Sequence, residues 1–231
     1  MEKNPQIDEC KGRPLIVDRP LIVDEIMRVG RVAYSKGFLA GCSGNISARD
    51  PGGLIYITAS GTCKGMLGPE DILCCDLYGE PVGATHGRKV SSEIKLHTYI
   101  YRYRKDIAAV IHAHPVFSIA ASLAGIDFSD PLLPETILSL GAVEIAEYGT
   151  PTTEELVLSI KTHIQAGLAN IILKRHGTLN IAQSLNSALA NLETLEHVAK
   201  IAILARMLDC DDPLDRDEMK KLNAIRGGLF A

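Results

Sequence analysis

Apolar positions along the chain change period several times, and each change marks an element. Leu21, Ile26, Val29, Val32 and Ala33 fall at helical spacing, with Pro20 near the start and Gly37 where a left-handed cap would close the run, so residues 20–37 predict a helix. Short apolar runs follow at 45–48, 54–58 and 72–77. They are separated by the turns Asp50-Pro51-Gly52-Gly53 and Tyr78-Gly79-Glu80-Pro81, the signature of an antiparallel meander. Helical spacing returns over 92–104, where Ile94, Leu96, Tyr99 and Ile100 share a side and serines stand at the head for capping. The pattern then predicts a buried strand at 108–112, a helix at 115–124, a strand at 143–148, a helix at 153–165 and an apolar strand at 170–174. A long helix over 184–208 closes the body, and a short one is expected at 215–224.

Strands followed by helices in both halves predict an α/β fold, a three-layer α/β/α single domain around a central mixed, largely antiparallel sheet. It is expected to span 1–231, with 1–20 as an N-terminal extension and 211–231 as a C-terminal tail. At 46% hydrophobic and 23% charged, the 231 residues have a globular composition able to bury a core. The net charge of -4 and the lack of a Lys/Arg run argue against a nucleic-acid partner. Pro5, Pro14 and Pro20 interrupt the first segment, which does not read as a secretory signal. Nowhere are there about 18 consecutive apolar residues, so no membrane association is expected and the cytoplasm is the expected location. The six cysteines show no Cys-x-x-Cys spacing, and Cys74 and Cys75 would point to opposite faces of a strand. Reduced thiols serving as small apolar fillers are the expectation.

Candidate chemistry begins at His112-Ala113-His114. Side chains two apart on a strand share a face, so both imidazoles can reach one ion. Such a pair also arises by chance, and a third ligand is needed. His176 supplies one, in Arg175-His176-Gly177 directly after a predicted strand, where Gly177 would let the backbone turn sharply. Glu93, in Ser91-Ser92-Glu93 at a helix start, could bind metal, act as a base or merely complement the helix dipole. Three imidazoles plus a labile carboxylate or water describe an open, catalytic zinc site. His86, His97, His163 and His197 are assigned to structure, with His97 four residues after Glu93 on the same helix face and able to support it.

Three turns have the composition to hold an oxyanion: Gly41-Cys42-Ser43-Gly44-Asn45, Thr58-Ala59-Ser60-Gly61-Thr62, and Ser91-Ser92 ahead of a helix. Backbone amides, hydroxyls and a helix N-terminus can together bind a phosphate without a lysine cluster.

With these motifs in order, residues 21–208 resemble the zinc-dependent class II sugar-phosphate aldolases of the fuculose-phosphate aldolase, ribulose-phosphate epimerase and adducin-head type. The matching features are Gly44-Asn45-Ile46-Ser47, Thr58-Ala59-Ser60-Gly61, Ser91-Ser92-Glu93, His112-Ala113-His114-Pro115 and His176-Gly177. The resemblance implies that Gly44, Asn45, Ser60, Gly61, Ser91 and Ser92 hold a substrate phosphate. It further implies that His112, His114 and His176 bind one zinc per subunit (manganese or cobalt being alternative ions), with Glu93 as resting ligand and catalytic acid/base. It also implies a homotetramer with active sites at subunit interfaces. The apolar segment 117–140, with its predicted loop at 127–134, is the expected contact. Where fuculose-phosphate aldolase has a tyrosine contributed by a neighbouring chain, this sequence has Glu135, which becomes the second candidate catalytic group. An acidic residue there turns the reading from fuculose 1-phosphate toward other ketose 1-phosphates, of the deoxyribulose or methylthioribulose type. Retro-aldol cleavage to dihydroxyacetone phosphate and an aldehyde is the expected reaction, and a methylthioribulose-phosphate dehydratase is the alternative. Glu93 disfavours the epimerase branch, which carries Asp there. Retention of the three histidines together with Glu93 disfavours a non-catalytic adducin-like module.

Overall fold

A computed structural model describes residues 21–229. The expected N-terminal extension, with Cys10 and the helix-opening Pro20, lies outside the described residues, as do the last two residues of the tail. Seven helices and seven strands are named within that range: α1 Leu21–Ser35, β1 Asn45–Arg49, β2 Ile55–Thr58, β3 Ile72–Cys75, α2 Ile94–Tyr103, β4 Ala109–Ala113, α3 Val116–Ala124, β5 Val143–Ala146, α4 Glu154–Ser159, α5 Lys161–Gln165, β6 Asn170–Leu173, β7 Gly177–Ala182, α6 Leu185–Met207 and α7 Arg216–Leu229. The strands form one sheet in the order β3-β2-β1-β4-β7-β6-β5. Only β5 and β6 run parallel, so the sheet is mixed and largely antiparallel, as the pattern predicts.

Strand alternation sorts side chains into two cores. Ile46 and Ala48 of β1 and Ala109, Ile111 and Ala113 of β4 pack against α1 and α6 on one face. Val110 of β4, Leu179 and Ile181 of β7 and Ile171 of β6 pack against α2, α4 and α5 on the other. These are the three layers. Asn45, Ser47 and His112 belong to the second face, and Asn45 stands opposite His112 in the β1–β4 register. That register is what brings the first glycine turn next to the histidine pair.

Several expectations need correction. The strand β7 is absent from the sequence reading, because Gly177 and Asn180 are poor strand formers by propensity and the polar Thr178 leaves no apolar run over its first half. Its polar side chains are held inside: Thr178 donates to Asn180 Oδ1 at 3.0 Å, Asn180 to Asn170 Oδ1 at 3.0 Å and Asn170 to the Leu140 carbonyl at 3.0 Å. The helix expected over 153–165 is broken by a turn at Ile160, which keeps Leu156, Ile160 and Ile164 all in the core. The tail helix runs further than expected, and Arg226 donates to the Ile137 carbonyl in a π-helical turn, Thr136–Leu140. Cys42 and Cys210 are exposed, so they are not core fillers, whereas Cys75 is fully buried. The loop before residue 135 is anchored in its own core through Ile126 and Phe128, while Val116 and Leu123 stay largely exposed. Among the described residues no helix is long and apolar enough to cross a membrane.

Candidate metal centre

Four segments meet at one end of the sheet. His112 is the penultimate residue of β4 and His114 lies just beyond its end, with its N–H bonded to the Phe38 carbonyl at 2.9 Å. His176 sits in the three-residue connection between β6 and β7, a turn closed by its N–H on the Leu173 carbonyl at 3.0 Å. Arg175, at φ 62°, is the residue of this turn in the left-handed region. Gly177 is not in that region. It is required for another reason: an added Cβ would meet the Ala113 carbonyl oxygen at 2.2 Å and His114 Cδ2 at 2.8 Å.

The three imidazoles offer nitrogens within 4.8 Å of one another. Their centroids are 4.7, 4.8 and 5.0 Å apart and their planes cross at 63–67°, so the ring edges converge. His112 Nδ1 is bonded to the Thr178 carbonyl at 2.9 Å. A carbonyl can only accept, which fixes the neutral tautomer with the proton on Nδ1 and turns the Nε2 lone pair inward. Burial first, and the neighbouring imidazoles second, push His112 and His114 down to about 3; burial also lowers His176, against the opposing pull of Glu93. Neutral rings whose ligand nitrogens approach as closely as 3.0 Å, as His112 and His114 do, are a donor set that a divalent cation satisfies. His176 Nδ1 is buried without a hydrogen-bond partner among the described residues.

Glu93 occupies the N-cap of α2 but makes no side-chain capping bond. Its carboxylate turns to the histidines, with Oε2 at 3.2 Å from His112 Nε2 and Oε1 at 3.6 Å from His176 Nε2. Asn45 Nδ2 donates to Oε2 at 2.8 Å. Behind Asn45 runs a buried chain. Asn45 Oδ1 meets His97 Nε2, His97 Nδ1 meets Ser47 Oγ at 2.6 Å, and Ser47 Oγ meets the Tyr101 hydroxyl at 2.9 Å. Burial pushes His97 down to about 3 as well. His97 thus supports Glu93 through Asn45, and the four-residue spacing on α2 is the sequence signal for it. Of the other histidines, His163 pairs with Glu144 at 2.8 Å, and His86 and His197 are exposed.

The three predicted oxyanion turns come together around this cluster. Asn45 ties the first turn to Glu93, and the Ser60 N–H bonds the Lys89 carbonyl at 2.9 Å, tying the second to the segment that leads into the third. Gly44, at φ 70°, lies so close to β4 that a Cβ would meet the His112 carbonyl oxygen at 2.6 Å. Ser91 is buried and its Oγ accepts from the Glu93 N–H at 3.3 Å, while Ser60, Gly61 and Ser92 are exposed. Sequence reasoning missed Lys64. Its ammonium, buried beneath the turns, donates to the Cys42 and Thr62 carbonyls at 2.8 Å each. Its one sequence signal is its place three residues after Gly61. Glu135 is not brought to the cluster: it is exposed ahead of the π-helical turn, and no hydrogen bond or ion pair joins it to the histidines or Glu93 among the described residues.

Comparison with known proteins places the chain in a family. Residues 24–203 match the class II aldolase and adducin N-terminal domain. An L-fuculose phosphate aldolase of Methanococcus maripaludis is 32% identical over 178 residues, covering 77% of this chain and 93% of that protein. A 3-oxo-tetronate 4-phosphate decarboxylase of Cupriavidus necator is 32% identical over 183 residues, covering 77% and 82%. The L-fuculose-1-phosphate aldolase structure from Thermus thermophilus superposes with a TM-score of 0.72 at 28% identity, covering 85% of this chain and all of that one.

Proposed function

Because this chain belongs to the class II aldolase and adducin N-terminal domain family, we propose that it is a zinc-dependent lyase that breaks a carbon–carbon bond in a small phosphorylated keto sugar. The observation that carries this reading is the convergence of three neutral imidazoles, His112, His114 and His176, on the buried carboxylate of Glu93. Zinc suits three imidazoles with an open fourth position, and when bound it supplies a Lewis acid for the negative charge that develops on the sugar oxygens.

The preferred reaction is retro-aldol cleavage of a ketose 1-phosphate. The C4 hydroxyl gives up its proton, the C3–C4 bond breaks, and an aldehyde leaves. The bonding pair stays on the three-carbon half as an enediolate, and C3 then takes a proton to give dihydroxyacetone phosphate. Glu93 is the group that delivers this proton, held in place by Asn45 and, through it, His97. Asn45's carboxamide is engaged on both sides, so its side chain serves Glu93 while Gly44, Ser60, Gly61, Ser91 and Ser92 surround the phosphate. Glu135 is the group for the C4 hydroxyl proton, acting in a neighbouring subunit's site.

A 3-oxo sugar acid 4-phosphate that loses carbon dioxide leaves the same enediolate, and the 32% identity to a decarboxylase makes this the second reading. Product analysis separates them on one panel of substrates: dihydroxyacetone phosphate with an aldehyde, or with carbon dioxide. A dehydratase would instead give a diketone phosphate. Glu93→Gln should lower turnover by a factor of about 10² to 10⁴, the range for losing a general acid/base, with little change in melting temperature. Near-normal turnover would remove Glu93 from the chemistry.

A further inference from the structure

Lys64 is 2% exposed, as buried as the apolar core around it. Packing forces it there. The short 3-10 turn Lys64–Met66 is pressed onto α1 at two glycines: a Cβ on Gly30 would meet the Lys64 carbonyl oxygen at 2.9 Å, and one on Gly65 would meet the Tyr34 ring at 2.5 Å. The ammonium reaches between the two glycine turns and donates to one carbonyl of each, Cys42 and Thr62, at 2.8 Å. Two of its three N–H donors are thereby used on neutral acceptors. Among the described residues no carboxylate lies within ion-pair distance of it. Burial lowers its pKa against the opposing pull of nearby groups that include Glu93, and its charge lowers His112 and His114. A buried ammonium without an ion-pair partner is costly to the fold, and an anion arriving at the turns would offset that cost.

We propose that Lys64 is the fixed countercharge for the phosphate of the substrate, clamping the 41–45 and 58–62 turns into one anion site and neutralising the dianion from behind them. This rests on the phosphorylated-substrate part of the reading above. It makes the chain's preference for phosphorylated sugars depend on one lysine that the turn motifs do not contain.

Inorganic phosphate is the probe. Titration calorimetry of the purified protein with phosphate should show Lys64→Met binding about 10- to 100-fold more weakly than wild type, the scale of losing a hydrogen bond to a charged group, with Lys64→Arg restoring much of the affinity. The ratio of kcat/KM for a phosphorylated over an unphosphorylated ketose should shrink by the same factor, a change that loosening of the fold alone would not produce. Equal phosphate affinity in wild type and a folded Lys64→Met protein overturns the proposal, and so does a wild-type protein that binds no phosphate. Should Lys64→Met fail to fold, ¹⁵N-lysine labelling of wild type decides: phosphate must shift the Nζ resonance that is missing from Lys64→Arg, and an unmoved resonance at saturation is equally fatal. Phosphate binding is independent of which bond the enzyme breaks. Failure of the lyase reading would therefore appear in the product assay and not here.

Discussion

At residue 177 a single methyl group decides whether the three histidines can converge. An alanine Cβ there would lie 2.2 Å from a backbone oxygen of β4 and 3.1 Å from His112 Cε1. Backbone cannot yield as a flexible side chain can, so the β6–β7 turn would move away and take His176 with it. Gly177→Ala should therefore weaken zinc binding by about 10- to 100-fold, the range seen when groups that orient metal ligands are changed, as measured by chelator competition. Wild-type affinity would mean that the turn relaxes without moving His176. The sequence motif points to Gly177 but suggests a different reason. It reads as a turn glycine, whereas the left-handed residue is Arg175 and Gly177 is needed for close approach. Which of these holds depends on the distance to β4, a separation of more than sixty residues that no local pattern encodes.

Helix α3 follows the metal motif directly, and its start is held by α6. Glu196, 9% exposed, accepts from the Phe117 N–H, the Ser118 N–H and the Ser118 hydroxyl at 2.8 Å each. The two N–H groups are orphan donors of a first helical turn, satisfied by a side chain from a distant helix because Pro115, at the N-cap, offers none. Glu196→Ala should cost about 2–4 kcal/mol, as buried donors lose a charged acceptor, and lower the melting temperature by about 5–15 °C. A shift under a degree would show that water replaces the carboxylate. The same element shows what is legible in sequence and what is not. Periodicity reveals α3, α6 and most strands, because each is set by its own apolar spacing. The His112-His114 pair is legible too, since strand alternation is local. The strand β7 and the clamp of Lys64 are not, because a central strand tolerates Thr178 and Asn180 only when buried partners satisfy them, Asn180 for Thr178 and Asn170 of β6 for Asn180, and Lys64 is defined by carbonyls on two separate turns. His97 falls between: its spacing from Glu93 is visible, but its route through Asn45 of β1 appears only in the folded sheet.

At the scale of the whole molecule, the proposed cleavage moves two protons, one from the C4 hydroxyl and one to C3, whereas the histidine cluster holds a single carboxylate, Glu93. Glu93 lies against the histidines, while Glu135 is exposed on its own chain and joined to none of them. Its segment is nonetheless fixed, because Arg226 of α7 donates to the Ile137 carbonyl and Ile126 and Phe128 anchor the preceding loop. An exposed carboxylate on an anchored segment, in a molecule that also leaves Val116 and Leu123 exposed, suits a contribution across an interface. The expected assembly is a cyclic tetramer whose sites each take Glu93 and the histidines from one subunit and Glu135 from the next. Mixing inactive Glu93→Gln with inactive Glu135→Gln protein under subunit exchange tests this. Where a Glu135→Gln subunit donates its intact Glu93 and a Glu93→Gln neighbour donates its intact Glu135, the site between them is wholly wild type. For random assortment of equal amounts, one site in four has this composition, so activity should recover to about a quarter of the wild-type value, by the heterologous geometry of a cyclic ring. Self-contained sites always carry one lesion and stay inactive at every mixing ratio. No recovery after exchange has been verified by mass spectrometry would place Glu135 outside the chemistry, and a monomer in sedimentation would do so without any mixing.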